Sequence, residues 1–159
     1  PGVGAFPAAM HNLEACNLVP VLNEVKDKGT PILGICIGMQ LLFEEGTENG
    51  YTKGLGFLKG SVDKMEVEAK LPHMGWNQLI IPTKHPLLKY VDEGDYVYFV
   101  HSYSAHCPDD QIGAYVEYGG QKITAFVYKD NVMGTQFHPE KSGEIGKKIL
   151  MAFKELVSC

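Results

Sequence analysis

Apolar positions recur along this chain with two different periods, and the switches between them outline the fold. Over residues 8–28, Met10, Leu13, Leu18, Val21, Leu22 and Val25 fall at roughly helical spacing. The segment reads as one helix, with Pro20 as a break or kink inside it and Gly29 as its stop. Residues 31–36, Pro-Ile-Leu-Gly-Ile-Cys, form a short apolar run typical of a buried strand, and residues 37–45 continue as a helix. Gly46, Gly50, Gly54 and Gly56 make 46–56 a glycine-rich loop, the segment expected to be most mobile. Beyond residue 57 the period shortens. Residues 62–67, 75–81, 95–103, 111–118, 122–128 and 132–137 read as strands, by alternation or by β-branched and aromatic content. A helical turn is expected at 85–90, and Gly119-Gly120 marks a hairpin. Helical spacing returns with Ile145, Ile149, Ala152, Phe153 and Leu156, behind Ser142 as N-cap. Together these elements predict one α/β layered domain over 1–159 with a mixed sheet.

The strand-to-helix junction at 34–38 carries the first candidate chemistry. Gly34-Ile35-Cys36-Ile37-Gly38 is the thiol form of a nucleophile elbow. A tight turn there presents Cys36 at the sheet edge and at a helix start, where the helix dipole favours the reactive thiolate. The N–H of Ile37 then faces an oxyanion on the attacked carbon. A cysteine nucleophile needs a base, and Gly134-Thr135-Gln136-Phe137-His138-Pro139-Glu140 offers one. On a strand end, His138 and Glu140 point the same way, so Glu140 can orient the imidazole of His138 towards Cys36. Neither feature excludes a structural role alone; together they favour catalysis.

Composition narrows the classes. A net charge of −5 gives no case for nucleic acid or an anionic membrane. No apolar run reaches the ~18 residues of a membrane span. Cys16, Cys36, Cys107 and Cys159 form no C-x-x-C pair, which disfavours a zinc or disulfide framework and points to a reducing cytoplasm. His101 and His106 are poorly spaced for a metal, His73 reads as a loop residue, and His11 and His85 stand alone. Glu44, Glu45 and Glu48 read as a solvated helix end, and Trp76 fits either a core or an interface. The opening Pro1-Gly2-Val3-Gly4-Ala5-Phe6 reads as a loop after a strand, with Gly2 and Gly4 letting the N–H of Val3 turn towards a ligand.

With both constellations in view, the chain resembles the class I, or triad, glutamine amidotransferases, marked by G-x-C-x-G-x-Q and a later H-P-E. Here these are Gly34 to Gln40 and His138-Pro139-Glu140. Within that family it is most similar to the glutaminase subunits of imidazole glycerol phosphate synthase. The similarity rests on Pro1-Gly2-Val3-Gly4, Pro72-His73-Met74-Gly75-Trp76-Asn77, Tyr98-Phe99-Val100-His101-Ser102-Tyr103 and 136–142. The resemblance implies a flavodoxin-like three-layer fold and hydrolysis of L-glutamine by Cys36, His138 and Glu140. It implies an oxyanion hole from the N–H groups of Val3 and Ile37. Gly4, Gln40, His101, Ser102 and Tyr103 would bind the substrate. A cyclase subunit, a (β/α)₈ barrel, would take the ammonia, facing Met74, Trp76, Asn77, Tyr98 and Lys141. No metal or organic cofactor is implied. Members of the family carry a β-α-β segment before Pro-Gly-Val-Gly, so this chain is expected to lack inner strands and to be poorly stable or inactive by itself. Activity is expected to rise when the cyclase binds, because the 2–4 loop is free to reorient. Two readings stay open beside this one: a glutaminase serving another synthase, and a non-catalytic binding module on the same fold.

Overall fold

The computed structural model describes residues 1–158, so Cys159 lies outside the described residues. Helices α1 (Phe6–Ala15) and α2 (Val19–Asp27) lead into β1 (Ile32–Ile35) and α3 (Ile37–Leu41). Seven strands follow: β2 (Glu45–Gly46), β3 (Thr52–Lys53), β4 (Ser61–Lys64), β5 (His73–Gln78), β6 (Tyr96–His101), β7 (Tyr103–His106) and β8 (Ile112–Tyr118). After β9 (Gln121–Lys129) and β10 (Val132–Thr135), α4 (Gly143–Val157) closes the described chain.

The mixed sheet is present, in the order β1-β10-β9-β8. β1 and β10 run parallel, and the other two pairings are antiparallel. The remaining strands form a second sheet, β3-β2-β4-β7, and a two-stranded β5-β6 ribbon. Side chains that alternate along β9 and β10 feed two cores. Val127 and Val132 join Phe6, Met39, Phe43 and Val62 on one face. Phe126 and Met133 join Leu79, Phe99, Phe137 and Ile149 on the other. This two-sided burial gives the three layers. β1 is the outer strand of its sheet, and an apolar groove of about 360 Å³, lined among others by Leu13, Leu22, Ile32 and Leu33, runs beside it.

Several local expectations are corrected. The single helix over 8–28 is two. Asn17 has φ 56°, which ends α1, and Pro20 lies in the first turn of α2, where its missing N–H costs nothing. The helix expected over 37–45 stops at Leu41, and residues 46–56 contain the β2-β3 hairpin. Ser142 does precede α4 but does not cap it with its side chain. Its hydroxyl donates to the His138 carbonyl at 2.6 Å and accepts from the Tyr98 N–H at 3.0 Å.

α4 sits directly on the turn that follows His138. A Cβ at Gly146 would collide with the Pro139 carbonyl, so the helix reaches that turn only over a glycine. Gly146→Ala is therefore expected to lower stability by about 1–3 kcal/mol despite alanine's better helix propensity. It should also impair any activity that depends on His138. Urea unfolding of the variant checks this, and an unchanged midpoint would show that the contact can relax freely.

Candidate active site

Parallel pairing of β1 with β10 begins the assembly of the site. It sets Ile35 beside Thr135, and the Cys36 N–H donates to the Thr135 carbonyl at 2.8 Å. Both strands end there. Cys36 and the segment after Thr135 thus leave the same carboxyl edge of the sheet, where α/β sheets place their ligands. Cys36 has φ 55° and ψ −110°, a strained conformation for a residue with a Cβ. The turn is tight: a Cβ at Gly34 would lie 2.6 Å from the Gly38 carbonyl carbon and 2.7 Å from the Met39 nitrogen. Gly38 has open space at its own Cβ position, with nothing nearer than 3.9 Å. Of the two motif glycines, the first is the one that local packing requires.

A cavity of about 320 Å³ opens over the thiol. Val3, Gly4, Cys36, Ile37, Gln40, Glu48, Val100 and residues 101–103 line it. The structure thus brings eight of the sequence-predicted residues into one space. Gln40 is buried. Its amide nitrogen donates to the Tyr103 carbonyl at 3.2 Å and to Gln136 Oε1 at 3.0 Å, which leaves its oxygen as the acceptor for a ligand. Gln136 in turn points its Nε2 at Cys36 Sγ, 3.7 Å away, and the sulfur lies 4.0 Å from the Val100 carbonyl oxygen.

Burial pushes the Cys36 thiol above its ordinary value, outweighing the Ile37 N–H that favours the thiolate. The helix behind Cys36 is only five residues long, and desolvation is the larger effect.

His138 Nδ1 meets Glu140 Oε1 at 2.5 Å. The pair arises differently from the strand alternation expected. β10 has already ended, and a 3₁₀ turn at Pro139–Lys141 brings Glu140 back under the ring. The His138 N–H donates to the Tyr98 carbonyl at 3.0 Å, which ties the turn to β6. The other ring nitrogen, Nε2, is buried and has no hydrogen-bond partner. A buried imidazole nitrogen without a partner is costly unless function calls for it.

The remaining predicted residues lie on or near the β5-β6 ribbon. Met74 and Trp76 are 61 % and 55 % exposed, and Trp76 packs edge-on against Tyr98 at 6.0 Å. Lys141 is exposed on the turn after His138. Asn77 faces the other way from Met74 and Trp76, as alternation along β5 dictates. Its Nδ2 donates to the Glu117 carbonyl at 2.9 Å and lies 3.4 Å from His73 Nε2.

Sequence reasoning missed Gln136, Glu48 and His73. Gln136 is a lone amide in an apolar strand run, which is a usable signal. Glu48 belongs to no solvated helix end: it lines the cavity and accepts from the Phe6 N–H at 3.4 Å. His73 is not a loop residue but a buried one, stacked between Phe99 and Tyr118 and 2.9 Å from His101. Among the described residues no group of three His, Cys, Asp or Glu side chains is arranged to hold a metal ion. Among the described residues no helix is long and apolar enough to cross a membrane.

The two buried imidazoles make stability sensitive to acid. Burial lowers both His73 and His101 from near 6.5 to about 4. Between those values the unfolded chain binds more protons, so stability falls as pH drops from 6.5 towards 4. By pH 5 a single such imidazole costs about 2 kcal/mol. Urea midpoints at pH 7 and pH 5 check this. The drop should shrink in His73→Phe, and equal midpoints at the two pH values would refute the linkage.

A strained cysteine at a parallel-strand edge, a His–Glu pair on the turn after β10 and a cavity of about 320 Å³ over the thiol are the features of this carboxyl edge of the α/β sheet. The chain belongs to the class I glutamine amidotransferases, whose family model, glutamine amidotransferase class-I, matches residues 1–157. It is 57% identical over 155 residues to imidazole glycerol phosphate synthase subunit HisH of Lactococcus lactis subsp. lactis (strain IL1403), covering 98% of this chain and 77% of that protein. It is 54% identical to the subunit of the same name from Bacillus cereus (strain G9842), over 99% of this chain and 75% of that one. The Listeria monocytogenes (serovar 1/2a, strain ATCC BAA-679 / EGD-e) subunit is 49% identical, over 100% of this chain and 77% of that protein. The fold also matches a solved glutamine amidotransferase with TM-score 0.70 at 16% identity, over 98% of this chain and 76% of that one. PurLQS from Thermotoga maritima matches with TM-score 0.69 at 21% identity, over 87% and 67%.

Proposed function

We propose that this chain is the glutaminase subunit of imidazole glycerol phosphate synthase, acting in the cytoplasm as a heterodimer with a cyclase subunit in histidine biosynthesis. The observation that carries the chemistry is Cys36, held at φ 55° in the floor of the cavity that Gln40 and residues 101–103 also line. The relatives at 49–57% identity support the choice of synthase over a sister glutaminase.

In this reading L-glutamine enters with its amide carbon over Cys36. The sulfur turns from the Val100 carbonyl towards His138 Nε2, whose lack of any other partner leaves it free to take the thiol proton. Because burial favours the neutral thiol, proton transfer to His138 accompanies attack. The S–C bond forms, and the N–H groups of Ile37 and Val3 receive the oxyanion. His138 then returns its proton to the departing ammonia as the C–N bond breaks. Water, deprotonated by His138, cleaves the thioester, giving glutamate and the free thiol. Ammonia passes to the cyclase, which docks on the ribbon face that presents Met74, Trp76 and Tyr98, with Lys141 beside it.

The test is ammonia release from glutamine, with and without the ligand-loaded cyclase. Release that depends on both Cys36 and the cyclase supports the proposal. Release indifferent to the cyclase keeps the glutaminase and assigns it to another synthase. No release under either condition leaves a binding module.

A further inference from the structure

A line of hydrogen bonds runs from the inner side of β5 to the cavity wall, and its proton positions can be deduced. His101 Nδ1 lies 2.8 Å from the Tyr103 carbonyl oxygen, which can only accept, so this nitrogen carries the proton. Burial keeps the ring neutral, which makes its Nε2 an acceptor. His73 Nδ1, 2.9 Å away, must then be the donor. By the same logic His73 Nε2 is bare, and it faces Asn77 Nδ2, a pure donor, at 3.4 Å. Every ring nitrogen has one role only. The Tyr103 carbonyl at the end of the line also accepts from Gln40, whose amide holds Gln136, which points at Cys36.

We propose that His73 is a positioning residue for the glutamine site: its Nδ1–H fixes the ring of His101, and through it the Tyr103 carbonyl against which Gln40 is set. His73 lies outside the cavity and does not touch the space for substrate. Its ring is clamped in plane by Phe99 and Tyr118, at centroid distances of 4.7 and 4.0 Å, so its donor is aimed rather than free to turn. Loss of that donor leaves a buried acceptor on His101 unsatisfied. The ring then gains by rotating or by moving its proton, and either change disturbs the Tyr103 carbonyl. This inference rests on the glutaminase reading for its kinetic consequence, but the proton arrangement stands without it.

Two substitutions separate positioning from packing. His73→Phe keeps the stacked ring and removes the donor. His73→Asn gives up the ring but places an N–H donor near the position of Nδ1. In the complex with the cyclase, His73→Phe is expected to raise KM for glutamine about tenfold with kcat changed less than about threefold. His73→Asn should restore KM to near the parent value. Nitrogen-15 spectra of His101 give a readout independent of turnover. The parent should show a protonated Nδ1 and a hydrogen-bonded bare Nε2, and the Nε2 signal should change in the Phe variant and return in the Asn variant. Unchanged KM and unchanged ring signals in His73→Phe overturn the proposal. So does equal impairment of both variants, which would mean that only packing matters. Should the parent complex release no ammonia, the glutaminase reading falls, and the ring signals alone then uphold or overturn the positioning role.

Discussion

Cys36→Ser is expected to lower ammonia release from glutamine by on the order of 10⁴-fold or more, with glutamine binding held within a few-fold. The hydroxyl is a far weaker acid than the thiol, and nothing at the elbow is arranged to ionise it. Burial raises even the native thiol above its ordinary value, so in the proposed mechanism attack depends on transfer of its proton to His138. A serine hydroxyl asks the same imidazole for a much harder proton. Binding survives because Gln40 and residues 101–103 form the cavity wall without help from the sulfur. The same argument predicts ordinary behaviour towards a neutral alkylating reagent. Without substrate, Cys36 should react near pH 7 no faster than an unactivated thiol, and faster as pH rises. Ammonia release and iodoacetamide labelling of the parent and the Ser variant check both statements. More than about a hundredth of the parent rate in Cys36→Ser would mean that another group attacks. Rapid labelling at pH 7 would mean that the thiolate is preformed.

The elements that carry the chemistry were largely legible, and the reason is local. A glycine two residues before a cysteine, at the end of an apolar run, demands the tight strand-to-helix turn that the structure shows, with φ 55° at Cys36. His-Pro-Glu is compact enough for its two side chains to meet in either a strand or a 3₁₀ turn. The pair was therefore found although the backbone reasoning behind it was not the one realised. What remained hidden depends on partners far away in the chain. Nothing near Gln136 tells that its amide links Gln40, 96 positions away, to Cys36. His73 follows a proline and looks like a loop residue, yet pairing of His73 with His101 across the ribbon buries both rings. Glu48 is one of several acidic residues after α3 until the β2-β3 hairpin returns it to the cavity. The balance of effects at the Cys36 thiol is hidden from the local sequence for a related reason. A helix start favours thiolate, but the cost of burial is set by the whole fold and here exceeds it.

Glu140 is the member of the His–Glu pair whose substitutions separate two kinds of loss. Its carboxylate accepts from His138 Nδ1 at 2.5 Å, which places the proton of the neutral ring on Nδ1 and leaves Nε2 bare, as the proposed base must be. Glutamine at this position can present an N–H to Nδ1 instead, driving the ring proton to Nε2 and removing the base. Glu140→Gln is therefore expected to lower kcat about 10³-fold, with KM nearly unchanged, because Glu140 does not line the cavity. Glu140→Ala should be the milder change. The Glu140 side chain is 39% exposed, so water can enter the space it vacates and accept from Nδ1, preserving the productive tautomer without the stabilising charge. A steric or packing role predicts the opposite order, since glutamine matches glutamate in shape and alanine does not. Steady-state ammonia release by the two variants, each in complex with the cyclase, decides between these accounts. A Gln variant more active than the Ala variant would place the contribution of Glu140 in packing rather than in the position of one proton.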